Sequence, residues 1–501
     1  MSRKISRRDF IKVLSGSSVL GMGVAVSGCG RSEKQTMGGE GWLPEQYNGE
    51  GSYPAQVRGR VAIAPDNPSI VRDDEKCILC GRCIEACENV MAVHGHYPLP
   101  LKDEVACVHC GQCTLWCPTG AIVERSEIDK VRAAIQDKSK FVVVQTAPAT
   151  KVSLGEAFGM QPEAVIGGKQ VVALRQLGFD AVYDTCFSAD LTIMEEAAEL
   201  LHRLTSKQEE LPHFTSCCPG WVNFCEYFYP EFLRNLSTCK SPQGMLGATV
   251  KSYLAAKKGI DPAHIVSVAI MPCTAKKFEA GRTELSHEDM ADVDVVLTTR
   301  ELARFMKQER INLHALEAAD YDSLLGESSG AGRIFGTTGG VTEAAVRTLY
   351  YNVTKQAPPA ALLDWQPVRG LKAVKEARAD VPGFGSVHIA VCHGLANVRP
   401  LLEDIRKNGS RWQFIEVMAC PGGCIGGGGQ PLTAPDNSAA VREKRIAAIY
   451  TGDVKAPRRT SHENSEIKQI YEEFYGQPLS EKAEKLLHTS FLDRSGRIFD
   501  K

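Results

Sequence analysis

Eight cysteines in two regularly spaced runs constrain this chain more than any other feature. Each run has the form C-x2-C-x2-C-x3-C, and the members are Cys77, Cys80, Cys83 and Cys87, then Cys107, Cys110, Cys113 and Cys117. Soft thiolate ligands favour iron–sulfur clusters, and this spacing is the one that holds cubic clusters. A structural zinc module would need eight cysteines to fall into two such runs by accident. The runs therefore predict two [4Fe-4S] clusters.

Together the two runs resemble the two-cluster bacterial ferredoxins. In that module the fourth cysteine of each run crosses over to the other cluster. The resemblance thus assigns Cys117 to the cluster of the first run and Cys87 to the cluster of the second. Glu88 stands where the second run has Pro118, which leaves the ligands unchanged. We expect a small α+β ferredoxin-like domain over residues 71–127.

Three further cysteine segments lie downstream. They are Thr215-Ser216-Cys217-Cys218-Pro219-Gly220-Trp221, Met271-Pro272-Cys273-Thr274-Ala275-Lys276-Lys277-Phe278-Glu279 and Glu416-Val417-Met418-Ala419-Cys420-Pro421-Gly422-Gly423-Cys424. Their cysteines come from separate regions without the paired spacing of zinc ribbons. Four thiolates gathered in this way can hold one more cubic cluster.

In this order the three segments resemble the signatures of iron-only, or [FeFe], hydrogenases, and the resemblance covers about residues 72–490. It implies a catalytic centre called the H-cluster. In this centre Cys218, Cys273, Cys420 and Cys424 hold a [4Fe-4S] cube. Cys424 also bridges to a two-iron unit that carries carbon monoxide, cyanide and an azadithiolate. The implied partners are dihydrogen, protons, an electron carrier and the hydrogenase maturases.

The resemblance also implies residues around the two-iron unit. Lys276 is the expected polar anchor, because its ammonium can donate a charge-assisted hydrogen bond to a cyanide. The other expected cofactor-binding residues are Ser241, Gln243, Pro148, Met271 and Met418. From composition alone, Lys276 would be read as a surface lysine.

A proton must leave such a buried site. Cys217, beside the ligand Cys218, resembles the first proton carrier, since a thiol with a pKa of about 8.5 exchanges protons near neutral pH. The relay implied by the resemblance is Cys217, Glu279, Ser237, Glu199, with Glu196 on the same helix as Glu199. The residues alone favour other readings, namely a spare buried cysteine and a solvated helix edge on which Glu199 pairs with Arg203.

Apolar runs alternate with amphipathic helical stretches after Phe141. Phe141–Val144, Ile265–Met271, Val293–Leu297, Val387–Val391 and Phe414–Met418 are predicted strands, and 188–204 is a predicted helix. This alternation predicts an α/β catalytic domain over 128–454. Two strands lead directly into Cys273 and Cys420, at the strand ends where such sheets place their sites. The polar, helical segment 455–501 resembles a small hydrogenase subunit fused to the chain.

The N-terminus resembles an export signal. Ser6-Arg7-Arg8-Asp9-Phe10-Ile11-Lys12 and the short apolar run after it match a twin-arginine signal over 1–29, which predicts a periplasmic protein exported by the Tat translocon. Val26-Ser27-Gly28-Cys29 also resembles a lipoprotein box, an alternative that would attach lipid to Cys29. Residues 30–70 are predicted to be a linker. The net charge of -2 gives no reason to expect nucleic-acid binding.

The favoured function is a periplasmic hydrogenase that oxidises dihydrogen reversibly, with uptake favoured by its location and a periplasmic cytochrome c as the expected electron partner. The alternatives are a hydrogenase-like iron–sulfur assembly protein, a dihydrogen sensor and a simple polyferredoxin. The last leaves most of the chain unexplained. Thr342 stands where the family usually has methionine, so local packing is expected to differ there.

Overall fold

The structure is a computed structural model that describes residues 58–97, 105–206, 211–287, 289–433 and 438–498. The predicted signal segment, Cys29 and the linker up to residue 57 lie outside these ranges. Within the ranges, no helix combines the length and the apolar character needed to cross a bilayer.

The two C-x2-C-x2-C-x3-C runs lie in a small α+β module. Strand β1 (Ile70–Arg72) pairs antiparallel with β2 (Ile122–Glu124), and the helices are Arg82–Glu85, which continues into a π turn over Ala86–Val90, and Gln112–Trp116. Gly81 and Gly111 precede the two helices with φ of 76° and 70°, a left-handed conformation that favours glycine. The predicted ferredoxin-like fold is confirmed.

The module begins earlier than predicted. Val61 is buried with Ile70, Cys83 and Ile122, and Gly59 forms a bridge with Cys80. The linker prediction is therefore wrong for residues 58–69. A module this small has few apolar residues of its own, so the preceding segment completes its core.

The remaining strands follow in chain order: β3 Phe141–Thr146, β4 Ala181–Asp184, β5 His213–Phe214, β6 Ile265–Met271, β7 Ser286–His287, β8 Met290–Ala291, β9 Val295–Thr298, β10 Val374–Val381, β11 Gly385–His393 and β12 Phe414–Met418. One sheet has the order β4-β3-β6-β9, and its strands are all parallel. A second has the order β10-β11-β12-β5, with only β10 antiparallel. Strands β7 and β8 form a small hairpin.

Helices cover both sheets, as apolar parallel strands require. The α-helices of this region are Ile128–Gln136, Pro148–Lys151, Gly167–Leu177, Thr185–Thr205, Pro219–Phe228, Pro242–Thr249, Ala255–Lys258, Ala275–Ala280, Thr299–Gln308, Gly330–Ile334, Gly340–Thr354, Ala360–Leu363 and Leu395–Asn408. The long helix Thr185–Thr205 begins where the Asp184 carboxylate accepts a hydrogen bond from the Cys186 N–H. It is buried along most of its length, which places its acidic residues inside the protein.

The C-terminal segment wraps the catalytic domain. Its α-helices are Ser438–Val454, Ser465–Ile470, Glu481–Leu487 and Ser495–Ile498, and Ser465–Ile470 continues into a π turn over Tyr471–Tyr475. Tyr475 and Leu487 are buried in one cluster with Phe187 and Met245 of the catalytic domain. Asn464 and Ser461 donate hydrogen bonds to the buried carboxylate of Asp190, at 2.9 and 2.8 Å.

The predicted α/β catalytic class is confirmed. Strands β6 and β12 have the predicted bounds, and the predicted helix 188–204 lies within Thr185–Thr205. Strands β4, β5 and β10, and the division into two sheets, were not predicted. The short strand β5 has only two residues, too few to show a periodic pattern.

Candidate active site

Four cysteines lie at the carboxyl ends of strands from both sheets. Cys273 follows β6, Cys218 follows β5, and Cys420 and Cys424 follow β12. Burial raises the pKa of both Cys273 and Cys424 to about 12, and the neighbouring Cys218 adds to both shifts. Burial also raises the pKa of Cys420, with Cys273 and Cys218 adding to it. Thiols in this arrangement need bound cations to persist as thiolates.

The donor set fits a thiolate-held [4Fe-4S] cube, because all four donors are soft thiols. The loop around Cys424 also contains glycines, whose missing side chains allow close approach of the backbone. Gly423 has φ of 88°, and a Cβ there would lie 2.7 Å from the backbone nitrogen of Thr338. A Cβ on Gly426 would lie 2.1 Å from the Pro421 carbonyl oxygen. The loop around Cys424 therefore requires glycine at both positions.

Lys276 is buried and forms an ion pair. Its Nζ lies 2.8 Å from Glu279 Oε2 and donates a 3.1 Å hydrogen bond to the carbonyl oxygen of Cys217. Burial alone would lower the pKa of Lys276, but the charge and hydrogen bond of Glu279 raise it above its ordinary value. Lys276 is thus a buried cation beside Cys217 and not the surface lysine that composition alone suggests.

Ser241 and Gln243 hold the same carboxylate. Ser241 Oγ and Gln243 Nε2 each donate to Glu279 Oε2 at 3.0 Å. Gln243 Oε1 is buried and has no hydrogen-bond partner among the described residues. An orphaned buried acceptor is what a pocket completed by a further group leaves open. The residues present therefore fit the two-iron unit that the resemblance implies.

The other three predicted cofactor-binding residues are buried near the carboxyl ends of β3, β6 and β12. Pro148 is buried at the start of the helix that follows β3. Met271 ends β6 and packs with Ala147, next to Pro148. Met418 ends β12 in the core cluster against which Cys217, Cys218 and Cys424 pack.

The predicted proton relay needs a correction. Ser237 Oγ lies 2.8 Å from Glu196 Oε2 and 2.7 Å from Glu199 Oε2, whereas no hydrogen bond joins Glu279 to Ser237 among the described residues. Burial raises the pKa of Cys217 well above its ordinary value, and the charge of Glu196 contributes to this shift. Glu196, and not Glu279, is therefore the carboxylate that Ser237 contacts, and Glu279 is held in the ion pair with Lys276.

The outer part of the path is buried and charged. Burial alone would raise the pKa of Glu199, but His213, Arg203 and the hydrogen bond from Ser237 lower it to about 2. Arg203 Nη2 donates to Glu199 Oε1 at 2.7 Å, and both side chains are less than a tenth exposed. The solvated-edge reading of this pair is thus wrong.

His213 was missed by the sequence analysis. Its Nε2 lies 2.9 Å from Glu196 Oε1, and the residue is fully buried. It lies in the two-residue strand β5 and carries no motif, so no local signal marks it. Only the contact across the fold identifies it.

Cysteines of both runs lie close together in the small module. Burial raises the pKa of Cys87 to about 12, with the charges of Cys107 and Cys83 adding to the shift. Burial raises the pKa of Cys113 well above its ordinary value, and Cys107, Cys87 and Cys83 add to it. Cys87, Cys113 and Cys117 all pack in the apolar cluster that contains Cys83. Cys77 and Cys80 are partly buried. The assignment of each cysteine to one of the two clusters stays a prediction.

The module is seated directly on the four-cysteine site. Thr274, next to Cys273, donates a 2.6 Å hydrogen bond to the His109 carbonyl oxygen. Gln112 Nε2 donates to the Gly426 carbonyl oxygen at 2.9 Å. Burial raises the pKa of Cys110 well above its ordinary value, and the charge of the nearby Cys420 adds to the shift. A cluster held by the second run would thus adjoin the cube.

A buried cluster site, an acidic path leading away from it and an adjoining dicluster module define an iron–sulfur oxidoreductase. Sequence comparison agrees with this class. Residues 140–428 match the family "Iron only hydrogenase large subunit, C-terminal domain". Residues 439–494 match "Iron hydrogenase small subunit", and residues 76–122 match "4Fe-4S dicluster domain". The chain belongs to the iron-only hydrogenase family, whose members are oxidoreductases acting on hydrogen and carry the H-cluster.

Three similar proteins are hydrogenases, and the alignment of this chain with each of them covers most of both sequences. The chain is 46% identical over 445 residues to the NADP-reducing hydrogenase subunit HndD of Solidesulfovibrio fructosivorans, covering 85% of this chain and 75% of the relative. It is 39% identical over 464 residues to iron hydrogenase 1 of Clostridium pasteurianum, covering 89% of this chain and 80% of the relative. It is 45% identical to the periplasmic [Fe] hydrogenase large subunit of Nitratidesulfovibrio vulgaris, covering 74% and 88%.

A solved structure agrees. Apo [FeFe]-hydrogenase HydA1 from Chlamydomonas reinhardtii superposes with a TM-score of 0.66 at 41% identity, covering 74% of this chain and 99% of that one. The match to the small-subunit family begins at residue 439, ahead of the predicted tail boundary at 455, so the helix Ser438–Val454 belongs to that match.

Proposed function

We propose that the protein is a periplasmic [FeFe]-hydrogenase that works in the uptake direction. In this proposal dihydrogen is oxidised at the active site, protons leave through Cys217, Glu196, Ser237 and Glu199, and electrons leave through the two [4Fe-4S] clusters. When bound, the H-cluster supplies the redox-active iron at which dihydrogen is cleaved. The twin-arginine pattern supports export by the Tat translocon, and a periplasmic cytochrome c is the proposed electron acceptor.

The observation that carries the proposal is the separation of the two exits. The ferredoxin module contacts the site through Thr274, Gln112 and the Cys110–Cys420 proximity. The acidic path leaves from Cys217 along the Thr185–Thr205 helix instead. Electrons and protons can therefore leave the same site by different routes.

The protein's own residues suit the proton step. Burial raises the pKa of Cys217, so the group is a neutral thiol that gives its own proton to the path as it takes another from the active site. Lys276 fixes the Cys217 backbone through its carbonyl oxygen. Ser237 contacts both Glu196 and Glu199, so one hydroxyl can pass a proton from one carboxyl group to the next.

The electron route suits the energetics. The proton/dihydrogen couple at pH 7 lies near about -0.41 V, from about 59 mV per pH unit for a one-electron step. Ferredoxin-type [4Fe-4S] clusters reach this range. The module can therefore accept such electrons without a large loss of driving force.

A role in iron–sulfur cluster assembly is the second candidate function, because some proteins similar to this chain are named as assembly factors. The chain is 30% identical over 362 residues to the cytosolic Fe-S cluster assembly factor narfl of Danio rerio. The hydrogenase proposal is favoured because the chain keeps Cys217, Lys276 and the hydrogen-bonded set Glu196, Ser237 and Glu199, none of which a cluster-transfer role requires.

Infrared spectroscopy of the matured protein tests the activity. Under dihydrogen and carbon monoxide we expect bands of iron-bound carbonyl and cyanide, together with dihydrogen-dependent reduction of a viologen dye. A correctly matured, folded protein without these bands would be an assembly protein. Bands with dihydrogen-responsive shifts but negligible turnover would indicate a sensor.

Cell fractionation tests the location. We expect hydrogenase activity in the periplasmic fraction. When Arg7 and Arg8 are both changed to lysine, the activity should be found in the cytoplasmic fraction instead.

Mass spectrometry of the mature N-terminus distinguishes simple cleavage from lipid on Cys29. Reduction of a purified periplasmic cytochrome c under dihydrogen tests the acceptor, and a preference for NADP would contradict it.

A further inference from the structure

Three side chains of metal-ligand type meet at the outer end of the acidic path. Glu199, Cys239 and His488 each place one ligand atom so that all three atoms lie within 4.8 Å of one another. Glu199 and Cys239 are buried, and His488 is partly buried. His488 comes from the C-terminal segment, whereas the other two belong to the catalytic domain. The resemblance to hydrogenases assigns no ligand here.

The backbone fixes the three residues relative to one another. Cys239 and His488 form an antiparallel bridge, and Lys240 donates its N–H to the Leu487 carbonyl oxygen at 2.8 Å. The Cys239 thiol lies 3.6 Å from Glu199 Oε2. The His488 ring is held at 2.7 Å by the Thr238 hydroxyl and at 3.2 Å by Glu195. The cluster is therefore ordered before any ion arrives.

The donor set selects a class of ion. A thiol, an imidazole and a carboxylate together suit Zn²⁺ and similar borderline cations, whereas Mg²⁺ and Ca²⁺ prefer oxygen alone. Arg203 donates to Glu199 Oε1, whereas Oε2 lies 3.6 Å from the Cys239 thiol and accepts from the Ser237 hydroxyl at 2.7 Å and the Thr238 N–H at 3.1 Å. The cleft beside the cluster is lined by the acidic Glu284 and Glu484 and by the basic Arg203.

A surface cleft reaches two of the three ligand residues, Glu199 and His488, whereas Cys239 is buried. This cleft of about 820 Å³ is lined by Glu199, Thr238, His488 and Glu484, among others. Three protein ligands leave one tetrahedral position for water, which the cleft can supply. Binding releases the Cys239 thiol proton and displaces the Thr238 hydroxyl from the His488 ring.

We propose that Glu199, Cys239 and His488 form a binding site for a single Zn²⁺ ion that blocks the outer end of the proton path. A bound ion would occupy the Glu199 carboxylate, which then cannot accept the proton carried by Ser237. The inhibitory effect rests on the proposed hydrogenase function, but binding itself does not.

Isothermal titration of the anaerobic holoenzyme with zinc chloride tests binding without turnover. We expect one equivalent bound by the wild type. Cys239→Ala and His488→Gln should each weaken the affinity by at least about tenfold, the loss typical when a metal site is disturbed. The matched controls are Cys225→Ala, a buried cysteine that contacts the Tyr229 carbonyl oxygen, and His462→Gln, which lies elsewhere in the C-terminal segment. Both should bind as the wild type does.

Inhibition is then measured as the ratio of viologen reduction with and without zinc. The wild type and both controls should lose activity as the site fills, and His488→Gln should need at least about tenfold more zinc. Absence of stoichiometric binding to the wild type, or equal binding by all variants, would overturn the site. Binding without inhibition of an active enzyme would overturn the blocking role. A protein that binds zinc but shows no activity at all would instead count against the proposed hydrogenase function.

Discussion

Glu196 and Glu199, one helical turn apart, contact the same hydroxyl group, Oγ of Ser237, at 2.8 and 2.7 Å. A hydroxyl has one proton to donate, so it can donate to only one of these carboxylates at a time. Rotation of the hydroxyl about the Cβ–Oγ bond of Ser237 moves its hydrogen bond from one carboxylate to the other. The proposed proton path between the two buried acids therefore depends on this single hydroxyl.

Removing that hydroxyl should stop the path. Ser237→Ala should lower dihydrogen oxidation by at least about a hundredfold, the usual contribution of a positioned proton carrier. The infrared bands and iron content should stay at wild-type values, because Ser237 holds no cluster. Ser252→Ala is the matched control, since its hydroxyl donates to the Ala248 carbonyl oxygen and otherwise contacts Tyr475, not the acidic residues of the path. Equal turnover of both variants would contradict the relay.

The order of the relay can be tested with two glutamates. Glu196→Gln should reduce turnover by at least about a hundredfold with an unchanged infrared spectrum. Glu279→Gln should instead shift the cyanide bands, because it removes the carboxylate that fixes the Lys276 ammonium at 2.8 Å. If Glu279→Gln abolished turnover with an unchanged spectrum and Glu196→Gln had no effect, the order predicted from the sequence would be correct.

An ion pair should make the attachment of the ferredoxin module sensitive to acid. Burial alone would raise the pKa of Glu124, but Arg300 and Arg304 lower it to about 2. A carboxylate with a lowered folded-state pKa stabilises the fold fully above its unfolded pKa of about 4.3 and loses this effect as pH falls toward 2. The contribution at pH 7 is on the order of 3 kcal/mol.

Glu124→Gln should therefore lower the thermal unfolding midpoint at pH 7, and the gap to wild type should narrow below about pH 4.3. Scanning calorimetry at several pH values measures this. Glu231→Gln is the control, since Glu231 forms a half-exposed ion pair with Arg406 and should have little effect. A gap that widened as the pH fell would contradict the assignment.

The contact between module and active site can be tested at a glycine. A Cβ on Gly111 would lie 2.3 Å from Thr274 Oγ1, and φ there is 70°. Gly111→Ala should slow dihydrogen-driven dye reduction several-fold, because it forces the two cluster sites apart. Exchange between dihydrogen and heavy water needs only the active site and should be largely kept.

Gly120→Ala is the matched control for this change. Gly120 also has positive φ, 63°, but a Cβ there would meet nothing within 4 Å. Both variants carry the same backbone cost of about 1–2 kcal/mol, so their difference isolates the close approach. Equal dye reduction by the two would show that the contact does not govern electron transfer.

The metal ligands could be predicted from the sequence because they follow local spacing. Each cysteine run has a fixed interval that a cluster demands, and Cys273 and Cys420 directly follow apolar strands that periodicity identifies. The polar network could not be predicted in this way. Glu279 and Glu196 both suit a relay by residue type, and only the packing of Ser237 against the Thr185–Thr205 helix decides between them.

The sequence by itself determined which cysteines are the candidate cluster ligands, the two kinds of domain and the helix that carries the acids, since these depend on neighbours along the chain. Only the tertiary structure decided that His213 contacts Glu196, that residues 58–69 complete the ferredoxin core, and that His488 reaches Cys239. These contacts join segments far apart in the chain. Their partners are chosen by which surfaces exclude water together, and no local pattern records that choice.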